Sequence, residues 1–478
     1  MNACRRWTRD ARAAGLRHAL AMFVFLVLVP GALLPDARAR TEQAARESVL
    51  LISIDSLRAD RLGCYGNRHD ASPTLDRLAR EGVRFANAVS STSWTLPAHV
   101  TMLTGLALRH HQVITPRDRI RASEHLLAES FRAQGYETAG FYSGPFLHPV
   151  YGFDRGFDRY VSCESPAVQA ATGRARLASS ASDHTNPRIE TAFKEWIAGR
   201  SQRPFFAFVH MWDVHYDYIP PPPYATMFDA DYKGKLDGRD IMGAGFPLDA
   251  SGRDVEHLQA LYDGEVRYTD ETIDHLLQAL DRAKVLDHTL VVVTSDHGDE
   301  FLEHGGKGHL FTLYEELIHV PLILWSRSGL PRGKLVAPAV SLADVAPTIL
   351  DLAGLPALPG TDGQTLRPLL AEDSPPDRQV SSTLYNAVSG ELMMLSTREE
   401  TRKVIYDLHA SPRKQWRVYD LARDPGEQAP LYQIVMPLKK MAQDEQRAMR
   451  ERVIERVRNQ ATLPPELTEK LKSLGYLK

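Results

Sequence analysis

Asp55, Asp296 and His297 are two carboxylates and an imidazole, a set suited to holding one divalent ion. Hard oxygens with a single ring nitrogen leave coordination positions open for a substrate. A hydroxyl could fill one of them, and Thr95 offers it in the stretch SWTLPAH, four residues before His99. Pro97 between them has no N–H and a fixed φ, which suits the first turn of a helix rather than its middle. Thr95 then stands at or just before a helix N-terminus, with VTMLTG as the first turns. That end carries partial positive charge and free N–H groups, which favour attack by a hydroxyl on an anionic ester. The alternative is a plain N-cap threonine before a buried helix; strand-end aspartates and DHG turns likewise have purely structural uses.

The elements that must position these groups are legible as short apolar runs. SVLLISI stops at Asp55, TLVVVTS stops at Asp296, PFFAFVH leads into MWDVHYDYIPPPP, and VPLILW forms a fourth run. Runs this short and apolar read as buried strands. Between them, TLDRLAREGVRF places Leu75, Leu78 and Ala79 at helical spacing before Gly82, and HLLAESFRAQGYETAGFYS reads as helix, glycine turn and strand. From Val255 to Leu286, residues Leu258, Leu261, Tyr262, Ile273, Leu276, Leu277 and Leu280 share one helical face. This alternation predicts an α/β fold with a central, mostly parallel sheet flanked by helices. Functional groups in such sheets gather beyond the carboxyl ends of the strands, so Asp55, the segment His210–Asp217 and Asp296–His297 should share one rim.

With 478 residues, 43% hydrophobic and 24% charged, the chain can form one large domain and an appendage. A formal charge of −3 gives no global basic field, which argues against a nucleic-acid partner. Five arginines in the first 17 residues, an uncharged run from Ala19 to Leu34 and the site Ala37-Arg38-Ala39 read as a secretory signal peptide cleaved after Ala39. The run is short for a membrane span, with an uncleaved anchor as the alternative. The expectation is a periplasmic or secreted protein without stable membrane insertion. Character changes again at PPDRQVSS, after which Val380 to Leu421 reads as a few antiparallel strands and the rest as polar helix. The expected organisation is a leader over 1–39, a catalytic domain over 48–375, a small C-terminal α+β subdomain with an antiparallel sheet over 376–430, and a helical tail over 431–478. Cys4 lies in the leader; Cys64 and Cys163 could pair once, yet they make neither a disulfide scaffold nor a metal motif.

The ordered motifs ISIDSLRADRLGCYG, TLDRLAREGVRFANAVSSTSWTLPAHVTMLTG, FVHMWDVHYDYIPP, TSDHGDEFLEHGGKGH, TLYEELIHVPLILW, LADVAPTILDLAGLP and VYDLARDPGEQ resemble the sulfatase family of the alkaline phosphatase superfamily. The resemblance covers about residues 48 to 430, with a family-like LKSLGYL ending. It places Thr95 where sulfatases have the cysteine or serine that becomes formylglycine, and Pro97 on the signature proline. Threonine cannot become that aldehyde. His99 stands in the signature's arginine position, and Ser56 and His297 stand where calcium-binding sulfatases have an aspartate and an asparagine. The set Asp55, Thr95, Asp296 and His297 therefore resembles the phosphoesterase branches, in which a threonine or serine hydroxyl is both metal ligand and nucleophile. One imidazole among oxygens favours zinc or manganese over calcium as the single divalent ion.

The same resemblance places His215 near the substrate oxygens or leaving group and His309 where the family often has lysine; Lys307 takes that role if the alignment shifts by two. His210, Asp213, Asp217 and His304 would support the site, and a second metal on Asp213 or Asp217 with His215 and His309 stays open. The expected activity is hydrolysis of phosphate mono- or diesters, or phosphonate esters, of a small molecule or glycan through Thr95, with His99, His215 and His309 assisting. Sulfate-ester hydrolysis without formylglycine is the first alternative. Phosphoethanolamine-type transfer is another, and no multi-helix membrane domain supports it. A non-catalytic glycan-binding relative is the last, and the presence of Asp55, Asp296 and His297 argues against it.

Overall fold

The structure, a computed structural model, describes residues 46–164, 184–243, 245–371 and 377–477. The leader read over residues 1–39 lies outside the described residues. Strands β1 (Ser48–Ile54), β5 (Phe205–Met211) and β6 (Thr289–Ser295) bury every residue on both faces. That is the pattern of central strands in a helix-covered parallel sheet. Alternate residues feed opposite cores: Val49, Leu51, Phe206 and Val292 on one side, Leu50, Ile52, Val209 and Val293 on the other.

β1 lies between β5 and β6 and runs parallel to both, with Ile54 opposite Met211 and Ser295. The residues that follow, Asp55 and Asp296, therefore leave the sheet side by side, on the shared rim that the strand ends imply. Beyond β5 the sheet continues in parallel through β3 (Glu137–Tyr142) and β4 (Arg159–Ser162). On the other side come β10 (Leu322–Trp325), β2 (Val83–Val89) and β11 (Lys334–Ser341), with the short β9 (His319–Val320) beside β2. β9 and β10 are antiparallel to their neighbours. Two further short strands, β7 (Glu300–Phe301) and β8 (Lys307–Gly308), pair just after the DHG turn.

Four strands of the main sheet are absent from the sequence reading: the short β4 and β9, and two longer ones, β2 and β11. β2, VRFANAV, buries only alternate stretches and follows a helix without a pause. β11 contains Pro338 and shifts register between Val336 and Ala339, as a sheet edge tolerates. The long helix is as expected: it spans Gly252–Arg282, opens on a Ser251–Asp254 capping box, and buries all seven apolar positions of the predicted face.

The C-terminal part forms the separate antiparallel sheet β12 (Gln379–Tyr385), β13 (Leu392–Glu399), β14 (Arg402–Asp407) and β15 (Trp416–Asp420), paired in chain order. Val380, Leu384, Met394 and Ile405 join the same apolar cluster as β1 and β2. The tail is helical over Met436–Glu451, Val453–Arg458 and Pro465–Ser473. Cys64 and Cys163 are free thiols.

Candidate active site

Asp55 adds one rung to the ladder, its N–H donating to the Met211 carbonyl at 2.8 Å. The chain then turns through Ser56 at φ +59°, a left-handed conformation that costs a non-glycine residue roughly 1 kcal/mol or more. Three bonds hold it there. The Ser56 N–H donates to Asp296 Oδ1 (3.2 Å), its hydroxyl to Asp55 Oδ1 (3.1 Å), and its carbonyl accepts from the Tyr262 hydroxyl (2.6 Å). From β6, the Ser295 hydroxyl donates to the His297 carbonyl (2.7 Å) and accepts the Leu57 N–H (3.0 Å). Ser56 thus fastens both carboxylates to one frame.

Thr95 is the first residue of the helix Thr95–Thr104; Trp94 stands at the N-cap, and no side chain caps that end. The Thr95 hydroxyl meets His297 instead, with Oγ1 3.2 Å from Nε2. His297 Nδ1–H donates to the Gly298 carbonyl at 3.0 Å, so in the neutral ring the lone pair is on Nε2. That nitrogen is 3.3 Å from Asp296 Oδ2 and 3.8 Å from Asp55 Oδ1. The four residues named from the sequence thus converge on one point.

The remaining histidines divide. His99 has both ring nitrogens engaged: Nδ1–H donates to the Thr95 carbonyl and Nε2 accepts from the Ser53 hydroxyl, each at 2.9 Å. His210 Nε2–H donates to Asp55 Oδ2 at 3.1 Å. His215 stacks on Trp212, donates Nδ1–H to the Tyr216 carbonyl (2.8 Å), and keeps a buried Nε2 without a partner. His309 stacks obliquely on His297, with ring centroids 4.3 Å apart; its Nδ1–H donates to Asp299 Oδ1 at 2.6 Å and its Nε2 accepts from the Tyr476 hydroxyl at 2.8 Å. Lys307 points elsewhere, donating to the Gly243 carbonyl at 2.6 Å.

Asp213 accepts the Thr185 and Asn186 N–H groups at the start of a helix, Asp217 accepts the Ile241 N–H, and His304 pairs with Glu316. Asp299, absent from the sequence reading, is the carboxylate that stands with His297 and His309 in a second group of possible ligand atoms. Its signal in DHGDE was a second acid two residues past the histidine. Tyr476 is the other omission.

Asp55, Thr95, Asp296, His297, Asp299 and His309 are all 0% exposed. Burial pushes Asp55 up to about 7 and raises Asp296 and Asp299 as well. Burial alone would lower His297, but the carboxylates of Asp296, Asp55 and Asp299 outweigh it and raise it. His99 and His210, held at about 4 by burial, stay neutral. The site is thus short of positive charge, and Asp296 Oδ2 is buried with no hydrogen-bond partner. Ligand atoms of Asp55, Asp296 and His297 all lie within 4.8 Å of one another. An orphaned carboxylate oxygen, a ring nitrogen turned toward two carboxylates, and carboxylates that favour a nearby positive charge together fit a divalent cation.

The sequence model of the sulfatase family matches residues 47–355, and that of the N-sulphoglucosamine sulphohydrolase C-terminal region matches 303–459. The multifunctional alkaline phosphatase superfamily protein PehA of Trinickia caryophylli is 27% identical over 413 residues, covering 70% of this chain and 78% of its own. An arylsulfatase of Clostridium perfringens is 24% identical over 448 residues, covering 80% and 89%. Among solved structures, the phosphonate monoester hydrolase of Agrobacterium radiobacter superposes with a TM-score of 0.66 at 24% identity, over 80% of this chain and 91% of that one; at that identity the likeness concerns the fold. Because the family match runs unbroken from β1 through the Thr95 helix and the DHG turn, the chain belongs to the sulfatase family of the alkaline phosphatase superfamily and is a sulfatase-like ester hydrolase.

Proposed function

We propose that the protein hydrolyses phosphate mono- or diesters, or phosphonate esters, with Thr95 as nucleophile. The observation that carries this reading is the Thr95 hydroxyl 3.2 Å from His297 Nε2, inside the cluster of Asp55 and Asp296. Asp55, Asp296, His297 and the Thr95 hydroxyl would hold the divalent ion, zinc or manganese before calcium. Such an ion lowers the pKa of a hydroxyl and polarises a non-bridging ester oxygen.

Thr95 Oγ1 forms a bond to phosphorus as the bond to the ester oxygen breaks. The threonine proton is passed on through the site, and a proton reaches the departing oxygen, so the alcohol leaves neutral. Water then cleaves the threonine ester and restores the hydroxyl. His215 and His309, each with Nδ1–H tied to an acceptor and Nε2 turned the other way, are the residues we assign to moving those protons. His99 holds the Thr95 carbonyl, so its part is positioning.

The second reading is sulfate-ester hydrolysis without formylglycine, favoured by the family match and by the arylsulfatase relative. A panel of aryl phosphate, phosphodiester, phosphonate and sulfate esters, assayed on chelator-treated protein with zinc, manganese or calcium restored, separates the two. The expected result is phosphorus-ester turnover recovered by zinc or manganese. Sulfate turnover alone, or activity indifferent to chelation, refutes our first reading.

We also assign residues 1–39 to a cleaved leader. Among the described residues no helix is long and apolar enough to cross a membrane. Mass spectrometry of the mature chain should find Arg40 at its start; an intact Met1 to Ala39 segment in a membrane pellet would mean an anchor.

A further inference from the structure

An ester can react at Thr95 only by touching Oγ1, yet Asp55, Thr95, Asp296, His297 and His309 expose no surface. Something that covers them has to move. Most of the surrounding groups sit at the ends of the main strands, in the loops that follow them, or on the Thr95 helix. One comes from the C-terminal tail: the Tyr476 hydroxyl donates to His309 Nε2 at 2.8 Å and lies 3.3 Å from the Tyr216 hydroxyl.

The tail is shaped to put it there. The helix Pro465–Ser473 ends at Gly475 with φ +82°, where a side chain is strongly disfavoured, and the chain doubles back so that the Tyr476 N–H donates to the Leu471 carbonyl at 2.8 Å. The phenol then meets the Phe146 ring edge-on at 4.6 Å. The attachment is light. Leu467, Leu471 and Tyr476 are buried and Lys470 pairs with Glu164 at 2.6 Å, whereas Glu466, Glu469, Lys472, Ser473 and Gly475 face solvent. Leu474 is half-buried against the same core, so four apolar side chains and one ion pair hold a terminal segment whose other face is in solvent, the part of a fold that opens most readily.

We propose that residues Pro465–Tyr476 are a gate over the active site, and that the Tyr476 hydroxyl is the group an entering ester displaces from His309. This rests on the reading of Asp55, Thr95, Asp296 and His297 as the reacting centre. In the closed state the phenol oxygen holds the place of a substrate oxygen at Nε2. Opening frees that nitrogen and uncovers Thr95 in a single movement.

Because closure competes with substrate, weakening it raises the competent fraction and lowers the apparent KM. In the full chain, Tyr476→Phe keeps the ring and loses the bond to His309. It should lower KM for an aryl ester about two- to tenfold with kcat unchanged within about twofold, the range a single neutral hydrogen bond commands. Lys470→Ala, which touches Glu164 on the far side, should act in the same direction. Orthovanadate added to the metal-loaded protein should speed hydrogen exchange at the amides of residues 474–477. A KM that stays put or rises in Tyr476→Phe overturns the gate, as does exchange indifferent to orthovanadate. Full turnover in Thr95→Ala would refute the reading of the centre while leaving the exchange result standing, so the two failures are distinguishable.

Discussion

Thr95→Ala should lose turnover by at least about a thousandfold, some 4 kcal/mol of transition-state stabilisation, because the covalent route disappears with the hydroxyl. Its effect on the fold should be small. The hydroxyl meets His297 Nε2 and hydrogen-bonds the Asp55 carboxylate, and it caps no helix, so its loss should cost about 1–3 kcal/mol of stability. Thr95→Ser keeps a nucleophile and should retain measurable activity. The decisive experiment is trapping: a good phosphate ester, an acid quench, digestion, and a search for phosphate on the peptide containing Thr95. An unmodified peptide beside a fully active Thr95→Ala variant would reduce Thr95 to a structural residue.

The largest effect on stability is expected far from the chemistry. Lys403 on β14 is wholly buried, with its ammonium 3.0 Å from Glu315 and 3.0 Å from Glu427. Burial alone would depress the amine, but the two carboxylates outweigh it and hold it above its ordinary value. Lys403→Ala leaves Glu427 buried and unpaired, which should cost about 3–5 kcal/mol by chemical denaturation. Glu427 already sits at about 7, raised by burial against the pull of Lys403, and without the lysine it rises further. A carboxyl whose folded pKa is raised penalises the fold above that pKa and is relieved as pH falls toward its unfolded value. The deficit should therefore shrink as pH falls from the variant's higher pKa to about 7 and level off below it, where Glu427 is protonated in both folded proteins. A deficit under about 1 kcal/mol, or one that grows in acid, would contradict this account.

What could be read from the sequence follows the range over which each signal acts. Asp55 and Asp296 were legible because each ends an unbroken apolar run, and buried parallel strands deliver whatever follows them to a common rim. The direction of β10 was not, since LILW looks the same parallel or antiparallel. β2 was hidden by polar residues that break its run, and β11 by Pro338. Thr95 could be placed at the head of a helix from Pro97, but its partner His297 is 202 residues away. Asp299 reads as an ordinary turn acid until His309 is seen against it. Tyr476 is harder still: it lies in the family-like LKSLGYL ending, but nothing there points to His309, 167 residues away.

The placement of β1 between β5 and β6 also governs when the site can exist during synthesis. β1 leaves the ribosome early, with seven residues destined for burial on both faces, yet its neighbours begin only at Phe205 and Thr289. For more than 150 residues of elongation it has no strand to pair with on either side. Contacts of this sequence separation form slowly and leave apolar edges exposed meanwhile. Ser56 reaches Asp296 across 240 residues, so an amino-terminal half made alone would carry Thr95 and Asp55 but no catalytic centre, and would present to chaperones the open edge of β1 that β6 covers in the whole chain.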